Sequence, residues 1–238
     1  VEIHKPRPWH GLREFLKEYG IIVLGVLTAL AAEQGVHTLQ QRADAGEARA
    51  TIRSELEFDM ARLHSRLDTR TCVERRIEEI QALLDGAADR PSIVTPAWIG
   101  RPQFWTIQSS RWQAVAQAGH AALMPPDELT AYGMMYAQGQ NIFNDLVLEQ
   151  GDWARLRALE HLRTVTPAAH LELLTALQDA RYRHWRITLS TRQMDGSARR
   201  LGLRSVANPL PAAQTICLPM DTPRAEVIRR TPNDNGEP

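Results

Sequence analysis

Apolar residues run unbroken from Gly20 to Ala32, GIIVLGVLTALAA, with nothing more polar than Thr28 and neither charge nor proline among them. Extended to residues 16–38, the stretch reaches the roughly 20 residues that a helix rising about 1.5 Å per residue needs to cross about 30 Å of hydrocarbon. It reads as a transmembrane anchor. The pattern then changes from all-round apolar to one-sided. Between Glu33 and Leu84 there is no proline, and Ile52, Leu56, Met60, Leu63, Leu67, Val73, Ile77, Ile80 and Leu84 recur mostly three or four apart. This spacing predicts one amphipathic helix continuing from the membrane, stopped at Gly86, followed by a loop over 87–103 rich in proline.

A short helix is expected next, capped by Ser109 or Ser110, carrying Trp112 and Val115, and closed by Gly119. Pro125-Pro126-Asp127 opens a long one that runs to about Leu162, weakened by Gly133, Gly139 and Gly151. Thr166-Pro167 starts another, through Leu174, Leu177, Trp185 and Leu189 towards Gly202. The fold class is therefore all-α: a transmembrane helix continuing into a long helix, packed in an antiparallel bundle of three long helices and one short helix. Four regions follow: an N-terminal segment 1–15, the anchor 16–38, the bundle 39–204 and a proline-rich, irregular tail 205–238.

Charge sets the orientation. Lys5, Arg7, Arg13 and Lys17 precede the apolar run, with Trp9 and Tyr19 where interfacial aromatics sit, so the positive-inside tendency keeps the N-terminus in the cytoplasm and places the bundle in the periplasm. The location expected is the bacterial inner membrane, in a single pass. A cleaved signal peptide is the rival reading, with Ala29-Leu30-Ala31 before Ala32 as an A-x-A site, but the acidic residues Glu2, Glu14 and Glu18 ahead of the run speak against it.

Composition narrows the partners. Lys plus Arg equals Asp plus Glu at 28 each, which leaves no excess positive charge for a nucleic acid. The lipid bilayer is the partner expected, beside a protein partner of unknown identity and self-association as a homo-oligomer. Gly25, Ala29 and Ala32 lie three and four apart on one stripe where two anchors can approach closely. Glu18 and Glu33 mark the two membrane boundaries; an ion-coupled Glu33 inside the apolar layer is the competing reading. Cys72 and Cys217 are either one bridge, formed outside the cytoplasm, or two separate buried thiols.

No catalytic residue emerges. There is no G-x-S-x-G, P-loop or HExxH, and the eight histidines never pair at helical spacing, so neither a cofactor nor a metal is expected. Glu55, Glu57 and Asp59, interleaved with Leu56 and Phe58, read as a solvated face. The function expected is protein interaction, scaffolding or sensing. An accessory subunit of an ion-driven or transport complex is the alternative, and an enzyme on a bundle scaffold the third.

Glu18 to Leu30, E-Y-G-I-I-V-L-G-V-L-T-A-L, resembles the opening of an uncharacterised bacterial family catalogued as domain of unknown function 6090, in which a glutamate precedes a G-I-L-I-A-L-like core. Trp112 to Met124, WQAVAQAGHAALM, is similar to that family's short helix and turn. The resemblance implies a single-span membrane protein with a helical domain, and brings no activity because the family has none assigned.

Overall fold

A computed structural model describes residues 11–204, 206 and 215–230 of the chain. Lys5, Arg7 and Trp9, on which the orientation leans, lie outside the described residues, as does much of the tail. Six α-helices account for most of what is described: α1 (Leu12–Asp68), α2 (Arg70–Asp89), α3 (Ser110–Gln117), α4 (Pro126–Leu156), α5 (Pro167–Arg200) and α6 (Arg224–Arg230). Short 3₁₀ turns occupy His120–Leu123, Arg157–His161 and Thr215–Cys217. Among the described residues there is no strand, only an isolated bridge between Ser92 and Thr164.

α1 has 57 residues and is therefore about 85 Å long at 1.5 Å per residue. Within its first half residues 24–43 are all exposed, and burial begins at Ala45 and Ala48. By length and composition α1 can cross a membrane, and its apolar window contributes nothing to the core. The helix expected to continue to Leu84 breaks at Thr69, whose hydroxyl donates to the Arg66 carbonyl at 3.0 Å and whose backbone leaves the helical path. A β-branched residue that satisfies its own turn in this way competes with the main-chain ladder. Gly86 is not the stop. The helix continues to Asp89 and ends where Pro91 holds Arg90 in an extended conformation (φ −134°, ψ 104°), as a residue before proline must be.

Contacts between side chains fix how the helices run. Arg49, Glu55 and Arg66 of α1 meet Glu128, Tyr136 and Glu149 of α4 in that order, so these two helices are parallel. Gln138, Asp145 and Asp152 of α4 meet Ser190, Arg186 and Arg183 of α5, which is antiparallel to both. α2 likewise runs against α5, through Gln81 with Gln178 and Leu84 with His170. Thr166 caps α5 by accepting from the Ala169 N–H at 3.2 Å, with Pro167 in the first turn, as its sequence requires.

Parallel α1 and α4 need a return path, and the loop after α2 provides it. Residues 91–109 run back along α2 and α1 as an extended strap, its main chain held by Arg76 at Trp98 and Ile99, Arg62 at Thr106 and Asp59 at Gln108. Gly139 lets the strap lie close: a Cβ there would sit 3.1 Å from Ile107 Cγ2. At its far end α4 tightens into the 3₁₀ turn at Arg157–His161 instead of running to Leu162, which buries Leu159 and brings Glu160 to the Ile99 N–H at 2.9 Å.

The tail is more ordered than its prolines suggest. Thr215–Cys217 and α6 bury Ile216 and Val227, and Trp98 N–H donates to the Met220 carbonyl at 2.9 Å. The core itself has two halves. One gathers Ile52, Leu56, Leu63, Met135, Ile142 and Leu146 with the end of α5; the other gathers Ile77, Ile80, Leu84, Trp153, Leu177 and Ile216.

Candidate functional site

Between the two halves of the core lies a layer of buried charge. Arg66 from α1, Glu149 from α4 and His184 from α5 converge there, at relative exposures of 2%, 0% and 5%. Arg66 Nη2 donates to Glu149 Oε1 at 2.8 Å, to its Oε2 at 3.1 Å and to His184 Nδ1 at 3.2 Å. A guanidinium can only donate, so Nδ1 accepts and the imidazole proton sits on Nε2, 3.9 Å from Glu74 Oε1. Burial, then the neighbouring Arg66 and Arg70 charges, push the His184 pKa down to about 3, which keeps the ring neutral. Burial raises the Glu149 pKa while Arg66 opposes it. Asp152 extends the layer towards solvent, accepting from Arg183 Nε at 2.7 Å.

The layer joins α1, α4 and α5 at one level. Within it, Glu149 is offset by Arg66 and Asp152 by Arg183. One sequence signal pointed to it: Glu149 shares a face with Leu146 and Trp153, three and four residues away, and an acid on an apolar face needs a buried partner.

Glu55, Glu57 and Asp59 correct the reading of a solvated face. Their exposures are 1%, 5% and 0%. They spread around α1 as the sequence requires, but the strap and the turn after α5 cover those faces. Glu55 accepts from the Arg111 N–H at 2.9 Å, the Trp112 N–H at 3.3 Å and the Tyr136 hydroxyl at 2.8 Å. It thereby caps α3, a role neither Ser109 nor Ser110 plays by occupying the cap with its own side chain. Glu57 accepts from the Arg204 N–H at 2.8 Å. Trp185 is likewise not on the core face of α5: it is exposed and stacks on Tyr182, because His184 and Ile187, about 100° and 160° away, take the inward positions.

Asp59 carries a pH dependence. Both carboxylate oxygens accept from the Gln108 N–H, at 3.0 and 3.2 Å, yet burial outweighs this and raises the pKa from 3.8 to about 7. A carboxyl whose folded pKa is raised binds its proton more tightly in the native state. Stability is then greatest below pH 3.8 for this group and falls as pH rises through about 7. Asp59→Asn removes that slope. Moving the pKa this far corresponds to about 4 kcal/mol, and loss of one charged acceptor returns about 2 kcal/mol, so the variant is expected to be roughly 2 kcal/mol more stable than the parent at pH 8 and no more stable at pH 4. Urea unfolding at the two pH values measures this; parallel pH profiles would mean that Asp59 ionises freely in the folded protein.

The residues singled out in and beside the apolar run remain apart from this layer. Gly25, Ala29 and Ala32 are exposed on one side of α1, and a Cβ at Gly25 would meet nothing within 4 Å. Glu18 and Glu33 are exposed at the two ends of the apolar run. Cys72 of α2 and Cys217 of the tail are joined in a disulfide, with Cα atoms 4.8 Å apart. Arg75 reinforces the junction by donating to the Cys217 carbonyl at 2.7 Å.

Other chemistry is sparse. Among the described residues no group of three or more His, Cys, Asp and Glu is placed to hold a metal ion. An open cleft of about 370 Å³ is lined by Leu83, Ala87, Asp89, Arg90, Ser92 and Ile93, among others. In comparisons with known proteins, no family model, no curated protein and no solved structure matches the chain.

Proposed function

We propose that the protein is a single-pass protein of the bacterial inner membrane, with its N-terminus in the cytoplasm and a helical bundle in the periplasm that acts by protein interaction, as a scaffold or a sensor. One observation carries the reading. The apolar window of α1 is buried nowhere among the described residues, while the other half of the same unbroken helix buries Ile52, Leu56, Met60 and Leu63 in the core. A segment this apolar is unfavourable in water at about 25 cal/mol per Å² of exposed surface and needs a bilayer or a partner to cover it. Because the helix does not break at the boundary, tilt or association of the anchor moves Arg66 and its layer directly. The disulfide agrees with a compartment outside the cytoplasm.

A C-terminal tag tests the topology. In spheroplasts, added protease is expected to remove the tag while the protein stays in the membrane pellet. Cleavage only in inverted vesicles would put the bundle in the cytoplasm, and recovery in the soluble fraction would remove the anchor from the account. The accessory-subunit reading is favoured by one feature, the uncovered face of the span, and a stable co-purifying polytopic protein after detergent extraction would establish it.

A further inference from the structure

The exposed part of α1 carries a pattern that reaches well beyond the span. Of residues 33–44, only Gly35, Val36, Leu39 and Ala43 are nonpolar, and all four are exposed. Val36 and Leu39 are 57% and 65% exposed, with no part of the domain over them. They are placed in register with the anchor. Gly25, Ala29 and Ala32 lead to Val36, Leu39 and Ala43, and then to Gly46 and Ala50, with spacings that alternate four and three throughout. An average of 3.5 residues is the seam of a left-handed coiled coil, distinct from the 3.6 of a helix packed on a globular core.

The seam and the domain use different sides of α1. Ala45, Ala48 and Ile52 face the core, each two residues beyond Ala43, Gly46 and Ala50. At about 100° per residue, two residues place the seam nearly opposite, so a second helix reaches it without meeting the domain. Space is open there too, since a Cβ at Gly46 would touch nothing within 4 Å.

Charge identifies the occupant. With Val36 and Ala43 at a, and Leu39 and Gly46 at d, Arg42 falls at g and Glu47 at the following e. In a parallel, in-register pair, g of one helix lies beside that e of the other, so Arg42 meets Glu47 of the second copy on both edges. The other edge pairs, Thr28 with Glu33 and Gly35 with Gln40, oppose no like charges. Two copies that enter the bilayer in the same direction can pair only in parallel. We infer that the protein self-associates as a parallel two-stranded coiled coil over residues 25–50, its occupant a second copy of this chain. The small residues let the helices close inside the bilayer, and Val36 and Leu39 form the apolar centre outside it. This rests on the membrane-anchored reading for the shared direction of insertion.

Single cysteines in the full-length protein, in native membranes, test the seam. Val36→Cys, Leu39→Cys and Ala43→Cys lie on it; His37→Cys, Thr38→Cys and Gln41→Cys lie off it, and the native cysteines are already bonded to each other. After mild oxidation, the seam variants are expected to give several-fold more covalent dimer than the other three on a non-reducing gel. Arg42→Glu should lower the Leu39→Cys dimer, and adding Glu47→Arg should restore it. Dimer at none of the positions, or equally at all six, with the protein still in the membrane pellet, overturns the coiled coil alone. Loss from the pellet overturns the anchored reading with it.

Discussion

Arg66→Ala is expected to lower the unfolding free energy by about 3–5 kcal/mol, the largest loss from any single side chain outside the apolar core. The substitution leaves Glu149 at 0% exposure without its Arg66 donor, and frees His184 Nδ1 from its partner. Glu149 then titrates upward without Arg66 to oppose burial. Protonating it relieves the charge but not the lost hydrogen bonds, each worth about 1–3 kcal/mol when the partner stays buried. Thermal unfolding in detergent, followed by circular dichroism at 222 nm, measures the loss. The double variant Arg66→Met, Glu149→Leu separates two meanings of the layer. An apolar pair of similar size avoids desolvation of both charges and is expected to recover most of the stability. If the layer sets register, that variant should nonetheless lose the defined order of contacts along α1, α4 and α5, read as increased amide exchange near Thr69 and Asp152. A double variant as rigid as the parent would reduce the layer to an ordinary ion pair.

Removing the disulfide is the second large effect. Cys72 and Cys217 are 145 residues apart, and closing a loop of that length lowers the entropy of the unfolded chain by an amount worth about 5 kcal/mol at 25 °C. The same bond holds the tail on α2. Thr215 accepts from Trp98 Nε1 at 3.2 Å, Leu218 accepts from Arg76, and Ile216 fills the second core half beside Ile99. Cys72→Ser with Cys217→Ser is expected to cost roughly 2–5 kcal/mol and to loosen α6, so that trypsin cleaves after Arg224, Arg229 and Arg230 faster than in the parent. Reductant should act on the parent in the same way and leave the double variant unchanged. A tail that stays protected without the bond would mean that Arg76 and Ile216 suffice to hold it. Arg76 is itself fully buried, with its pKa lowered by burial and supported by Glu79, so its three carbonyl contacts are the stronger candidates among the noncovalent ties.

How far the protein was legible in its sequence depends on the range of the interactions involved. Local rules carried the helices. The apolar run and the three-to-four spacing of Ile52 through Leu84 make α1 and α2, Pro126 and Thr166-Pro167 open α4 and α5, and Gly119 at φ 78° closes the turn after α3. These depend on residues within a few positions of one another, so the chain states them directly. The helix ends were less legible, because Thr69 breaks the ladder with its own hydroxyl and the turn after Leu156 is drawn in by Leu159 and Glu160. Position alone did not distinguish Gly86 from Pro91 as the stop.

What only the tertiary structure decided concerns charge. Glu55, Glu57 and Asp59 look alike in the sequence and like any solvated acids, yet their partners, at Arg111, Arg204 and Gln108, lie some 50 to 150 residues away. The same is true of Arg66 with Glu149 and His184, and of Cys72 with Cys217, which the sequence left as bridge or free thiols. A polar residue is buried when distant chain covers it, and only the folded path of the strap and tail supplies that cover. The seam over residues 25–50 is the opposite case. Its spacing was in the sequence throughout, but its meaning depended on the core claiming the other side of α1 and leaving this one open.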